Sequence, residues 1–181
     1  QALEMGGLQM KDVMIETDRF LLRSLIEDDV NNRYLSWING ENKSQYINYS
    51  SQERSIKEVR AYVSIRVNDP SVLFLGIFCR YTGEHIGNIK YEPIDFAKQM
   101  AIMGLMIGES NWRNKALAPE VIKASSMWLH NSMNIRQIHL GVDIKNKYAI
   151  RAYEKIGFKR KSSLCIEITD KNIVGMSWSL E

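Results

Sequence analysis

Cysteine is scarce in this sequence, and basic runs and long apolar stretches are missing. The two cysteines, Cys79 and Cys165, stand at no metal-ligand spacing with each other or with the three histidines, His85, His130 and His139, so no metal site is expected. Each lies in an apolar run and reads as a reduced thiol in a strand, which suits a cytoplasmic compartment. No apolar stretch approaches the length of a membrane span. No basic-then-apolar layout opens the chain, so no secretory leader is expected. The net charge of +3 comes without an arginine-rich helix, which argues against a nucleic-acid partner and leaves room for a small anionic ligand. Internal repeats and low-complexity tracts are absent too.

What remains is the composition of an ordinary globule, 45% hydrophobic and 25% charged over 181 residues, enough to bury a core without disulfides or metal. Residues 1–9 read as a disordered leader or expression remnant, with Met10 as a natural start, and residues 10–181 as one domain.

The most informative stretch is 107–123. Residues 100–107 are almost wholly apolar and read as a buried strand. The met-rich run Met100, Met103 and Met106 reads as core filling. Pro119 suits the first position of a helix and Glu120 its first turn. Val121, Ile122, Ala124, Trp128 and Leu129 then recur at helical spacing. With Pro119 first, the cap falls to Ala118, which has no side-chain acceptor, so the opening amides lack a local partner. Small residues at 116 and 118 admit close approach, and Arg113 and Lys115 add positive charge. Such a strand-to-helix turn is an anion site, with a diphosphate as its natural guest.

The rest of the chain supplies the frame. Residues 15–25 read as a strand and 27–39 as a helix ended by Gly40. Residues 39–54 form a polar segment carrying Tyr46, Ile47 and Tyr49. Ser55 and Glu58 make a capping box for a helix that stops at Asp69-Pro70. Residues 72–79 and 85–92 form a hairpin around the turn at 81–84. After the helix from Pro119 come a strand at 136–142, a helix from Asn146 to Gly157, and two last strands at 165–169 and 173–180. The order is β α α β β β α β α β β, a mixed sheet with helices on both faces.

Three motifs in that order carry a resemblance. Arg113-Asn114-Lys115-Ala116-Leu117-Ala118 resembles the pyrophosphate loop of the GNAT acetyltransferases, Gln/Arg-x-x-Gly-x-Gly/Ala, with Ala116 in place of the middle Gly. Thr17, Arg19, Leu22 and Arg23 resemble the opening strand of the RimJ/RimL-like branch. Asn146, Ala149, Tyr153 and Gly157-Phe158 resemble the family's Asn-x-x-Ala-x-x-x-Tyr-x-x-x-Gly-Phe. The resemblance spans residues 15–180. It implies a GNAT-like, mostly antiparallel α/β (α+β) sheet, splayed between two strands to take acetyl-CoA.

By resemblance, a backbone amide near Met106 or Ile107 meets the thioester carbonyl. Arg113, Asn114, Lys115, Ala116, Leu117 and Ala118 hold the diphosphate, and the pantetheine arm adds to the sheet like a strand. Tyr153 is the expected proton donor to the departing thiolate, since a phenol of pKa about 10 stays protonated at neutral pH. Asn146 either caps its helix or binds the pantetheine, two roles competing for one side chain. Glu109, just past the strand, is the candidate base, directly or through water; as a plain solvated carboxylate it would be none. The implied activity is acetyl transfer to a primary amine by direct attack, the acceptor being a peptide N-terminus or a small amine such as an amino sugar. The polar segment 39–54 is expected to wall the acceptor pocket, and its near-balanced charge disfavours a polyamine. Either a monomer or a homodimer would serve. The alternative, motivated by Ala116, is a degenerate GNAT fold that binds CoA or a protein partner without catalysis.

Overall fold

The computed structural model describes residues 10–40, 52–161 and 170–181. Among the described residues eight strands form one sheet: β1 (Met14–Glu16), β2 (Phe20–Ser24), β3 (Leu73–Cys79), β4 (His85–Asp95), β5 (Met100–Ile107), β6 (Gln137–Asp143), β7 (Lys159–Arg160) and β8 (Ile173–Ser179). Their spatial order is β1-β2-β3-β4-β5-β6-β8-β7. Every neighbouring pair is antiparallel except β5 with β6.

Four α-helices cover the described sheet: α1 (Asn32–Asn39), α2 (Ile56–Val67), α3 (Leu117–Met133) and α4 (Lys147–Ile156). Strand alternation divides the core in two. Leu75, Ile89, Ala101, Met103 and Ile138 meet α3 and α4 through Val121, Ile122 and Ile150. On the opposite face, Phe74 and Met106 pack with Tyr34 and Trp37 of α1 and with Val59 and Val63 of α2. The mixed sheet with helices on both faces is the architecture expected from the element order.

Several boundaries differ from the sequence expectation. The single opening strand is a hairpin, because Thr17 folds its hydroxyl and amide back onto Phe20. Residues 27–29 form a 3-10 turn rather than the start of α1, whose cap is Asn31. Asp29, one of the acidic residues that suggested an earlier start, instead caps this turn by accepting from the Ile26 amide and takes both Nη atoms of Arg23. The capping box at Ser55 and Glu58 forms as read. Three expectations fall outside the described residues: the leader at 1–9, most of the segment at 39–54, and the strand at 165–169.

The largest shift lies at α3. It begins at Leu117, so Ala116 is its cap and Pro119 its third residue. Proline is tolerated there because the N–H it lacks belongs to the set that has no helical partner. Ala116 turns the chain into the helix with φ +55°, the left-handed region that glycine favours. An Ala at this position therefore does not keep the ordinary backbone. Asn114, two residues earlier, has φ +60° as well. Deeper in α3, the buried Tyr91 hydroxyl bonds Ser125 at 2.8 Å and Ser126 at 2.9 Å, fixing the helix to β4.

Candidate active site

The site is made by strands that part. β5 and β6 pair only at Met100 with Gln137, Ala101 with Ile138 and Ile102 with His139. Residues 103–107 of β5 and 140–143 of β6 run on beyond the last pair. On its other side β5 stays paired with β4, with Asn88 facing Met106 and Gly87 facing Ile107. The Gly108 amide donates to Ile86 at 2.8 Å, which fixes the alternation of that antiparallel ladder. Met106 and Gly104 spend their backbone groups on β4. Met103, Leu105 and Ile107 direct theirs into the gap toward β6. Of the two amides proposed to meet a carbonyl, Ile107 therefore faces the opening. Met106 does not, because its amide belongs to β4 and its side chain to the α1–α2 core.

Two cavities adjoin at this gap. One, of about 650 Å³, has Asn88, Gly104 and Met106 on one wall and Gly141, Val142 and Asp143 on the other. The second, of about 350 Å³, lies toward α3 and α4 and is lined by Ile107, Arg113, Asn114, Ala118, Tyr148 and Ala149. Leu105, Asn146 and Tyr153 border both, so the two cavities adjoin at these side chains. Gly104 faces open space here, since a Cβ on it would meet nothing within 4 Å, whereas one on Gly141 would press on Ile173 Cγ2 at 3.1 Å.

Tyr153 stands at the junction, on the inner face of α4. Its ring meets Phe158 edge-on at 5.8 Å between centroids. Burial pushes its phenol above the ordinary tyrosine range, so the hydroxyl keeps its proton at neutral pH. Asn146 caps α4, its Oδ1 accepting from the Ala149 amide at 3.1 Å. The two roles weighed for Asn146 need not compete, because capping occupies the oxygen and leaves the Nδ2 donors.

Leu117 sinks its side chain into the core while its amide opens the helix. Among the described residues no side chain caps this terminus. Lys115 is exposed, its Nζ 5.8 Å from the centre of the Trp112 ring. Arg113, Asn114 and Ala118 face the second cavity; Lys115, Ala116 and Leu117 do not line it.

Glu109 is placed differently from the sequence expectation. It lines neither cavity. Its Oε1 accepts from Arg33 Nε at 2.5 Å and from Trp37 Nε1 at 3.0 Å. Partial burial acts to raise its pKa, but the bonds from Arg33 and Trp37 and the charge of Arg33 outweigh that and hold it below the usual carboxylate range. A general base works best with a pKa near the operating pH. The α1 partners pull Glu109 the other way, so its surroundings favour fastening α1 over taking a proton.

Sequence reasoning did not single out Leu105, Gly104, Tyr148 or Asn88 for the site. Asn88 is buried and donates to the Tyr34 hydroxyl at 2.9 Å while His85 Nε2 lies 2.7 Å from its Oδ1. Asn88 is one of several polar residues in β4, so the sequence carried no signal that set it apart. Among the described residues no group of His, Cys, Asp or Glu can hold a metal.

Comparisons with known proteins bear on the family and the fold. The family described as "Acetyltransferase (GNAT) domain" matches residues 19–159. A Bacillus subtilis (strain 168) protein named Uncharacterized N-acetyltransferase YoaA is 26% identical over 153 residues, 83% of this chain and 85% of that protein. Among solved structures, spermidine N-acetyltransferase of Vibrio cholerae, in complex with CoA and spermine, has a TM-score of 0.74 at 18% identity, covering 90% of this chain and 96% of its own. The ribosomal-protein-S5-alanine acetyltransferase of Vibrio fischeri also has a TM-score of 0.74, at 15% identity, covering 93% and 97%. At such identities the structural likeness speaks for the fold. The family match takes in Arg19 and β2, the parted strands and Tyr153 alike, and by it this chain belongs to the GNAT acetyltransferases, enzymes that move an acetyl group from acetyl-CoA to an amine.

Proposed function

We propose that this protein is a cytoplasmic N-acetyltransferase of the RimJ/RimL-like kind, with residues 10–181 as one catalytic domain. Its acceptor is a primary amine, on a protein N-terminus or a small molecule such as an amino sugar. The observation that carries this is the pair of cavities at the β5–β6 gap, with Tyr153 bordering both and backbone amides of β5 directed into the gap on one wall.

Acetyl-CoA fits the residues present. The uncapped turn at Ala116–Ala118, with Arg113 and Asn114 beside it, offers donors to a diphosphate. The inward backbone groups of Met103, Leu105 and Ile107 suit the amides of a pantetheine arm, and Asn146 Nδ2 adds one donor. When bound, acetyl-CoA supplies an activated thioester, so that the amine nitrogen bonds to the acetyl carbon as the carbon–sulfur bond breaks.

The chain's own part is positioning and proton handling. The Ile107 amide donates to the oxygen on which charge develops. Tyr153 gives its hydroxyl proton to the leaving sulfur and regains one from solvent. The wider cavity passes the proton of the incoming ammonium to water. That suffices for an α-amino group of pKa about 8, of which roughly a tenth is neutral at pH 7. Direct attack fits the placement of Cys79, the one cysteine among the described residues, which is buried in β3 and absent from both cavities.

The reading is tested by release of CoA thiol from acetyl-CoA with peptide N-termini, amino sugars and polyamines as acceptors. Turnover on α-amino acceptors is expected. Tight CoA binding without turnover on any amine would replace this reading with that of a non-catalytic CoA-binding protein.

A further inference from the structure

The turn that opens α3 is held from outside by a residue about a hundred positions away. Arg19 Nη1 donates to the Lys115 carbonyl at 2.9 Å and Nη2 to the Ala116 carbonyl at 3.2 Å. Its Nε donates to Glu120 Oε1 at 2.8 Å, and its main-chain amide to Glu120 Oε2 at 3.0 Å. The Thr17 hydroxyl donates to the same Oε2 at 2.6 Å. A second contact lies just upstream of the turn, where Trp112 packs edge-on against Phe20 at 5.3 Å. The loop 113–118 is thus fastened on both sides to the start of β2.

In a trans peptide the carbonyl and the following N–H point in opposite directions. Arg19 draws the carbonyls of Lys115 and Ala116 toward β2. The amides in the same two peptide planes, those of Ala116 and Leu117, must point away from it. We propose that Arg19 is a positioning residue for the acetyl donor, whose guanidinium sets the direction of the Ala116 and Leu117 amides, next in the chain to the cavity-lining Ala118, for a diphosphate to take. The inference rests on the reading of this turn as the diphosphate seat.

Two further features fit that role. Ala116 occupies the left-handed region at a cost of about 1–2 kcal/mol relative to the ordinary helix backbone. An external bond to its carbonyl stabilises a conformation the residue would otherwise leave. Glu120, in the first turn of α3, also puts a negative charge beside an anion seat. Hydrogen bonds from Thr17 and Arg19 hold it ionised, with its pKa below the usual range despite the opposing effect of burial. Arg19 neutralises that charge within the pair, so that it does not oppose the diphosphate. A lysine in place of Arg19 keeps the charge but lacks the planar fork that spans two carbonyls and a carboxylate at once.

The test measures Kd for CoA and for pantetheine, which lacks diphosphate and nucleotide, by calorimetry, together with kcat/KM for acetyl-CoA and S-acetylpantetheine. Wild type is expected to prefer the full cofactor. Arg19→Gln is expected to weaken CoA by on the order of 10- to 100-fold, as for losing one or two bonds to a charged group. Its kcat/KM for S-acetylpantetheine should stay within about twofold of wild type, each bond being worth near tenfold only where the diphosphate is present. Equal losses on both donors would make Arg19 a general structural residue and overturn the proposal. Wild type binding CoA no better than pantetheine would overturn the diphosphate seat and this inference together. Should Arg19→Gln not fold, Arg19→Lys carries the same measurements. Retained CoA affinity there would show that charge alone suffices and would also overturn the proposal.

Discussion

Trp37 fills the space where Gly108 lacks a side chain. A Cβ built on Gly108 would lie 2.1 Å from Trp37 Cδ2 and 2.3 Å from Cε2, and the same indole donates to Glu109 next along the chain. The end of β5 and helix α1 are therefore joined through one glycine and one carboxylate, beside the gap that takes the donor.

Gly108→Ala should push the indole away and loosen α1. Overpacking of this kind costs about 1–3 kcal/mol, readable as a lower midpoint in urea with unchanged slope. A variant as stable as wild type would mean that α1 yields without cost.

Glu109→Gln addresses whether this carboxylate takes a proton during turnover. A glutamine keeps an acceptor for Trp37 but loses the ion pair with Arg33. We expect lower thermal stability and a pH–rate profile whose limbs stay where they were. Disappearance of the limb that rises with pH would restore Glu109 as the base.

Tyr153→Phe removes only the hydroxyl and keeps the ring on Phe158. Loss of a general acid lowers turnover by about 10²- to 10⁴-fold, whereas CoA affinity by calorimetry should hardly move. An unchanged kcat would remove Tyr153 from the chemistry.

Ala116→Gly relieves the left-handed strain without touching the Lys115 or Ala116 carbonyls. A gain of about 1 kcal/mol is expected, or a rise in Tm of about 2–4 °C for a chain of this size. CoA affinity should be retained or improved. A lower Tm would mean that Ala116 carries no strain in this turn.

His85 and His139 predict the direction of pH dependence. Burial is the main cause holding both below the ordinary histidine value; at His85 the bond to Asn88 partly offsets it, and at His139 the charge of Lys161 adds to it. The folded protein keeps these rings neutral, whereas the unfolded chain takes up protons near pH 6.5. Their contribution to stability is therefore complete above about pH 6.5 and declines as pH falls toward their folded values. Tm recorded from pH 8 to pH 5 should fall, and His85→Gln should flatten the slope. A Tm that climbs on acidification would contradict the assignment.

The limits of sequence reading are clearest at α3. Apolar spacing placed the helix, and the missing cap was legible because Ala offers no acceptor. The start was misplaced by two residues because Pro119 satisfies the first turn of a helix at more than one position. Ala116 stands where the resembling loop has Gly, but alanine by itself does not announce a left-handed turn, and it makes one here with its carbonyl held by Arg19, 97 residues away in sequence. Glu109 was drawn to the right neighbourhood by its nearness to β5. Its partners on α1, 72 and 76 residues distant, decided what it can do there.

The sequence by itself determined the identity and order of most elements, the uncapped donor-rich turn, and the place of Tyr153 on the inner face of α4. Those follow from side-chain periodicity and local backbone chemistry, which act over a few residues. The resemblance implied that β5 and β6 part; only the tertiary structure decided that they do so after Ile102, that Ile107 rather than Met106 faces the gap, and that Glu109 belongs to Arg33 and Trp37. Each of these depends on which strands and side chains meet across the fold, and no short-range pattern encodes such meetings.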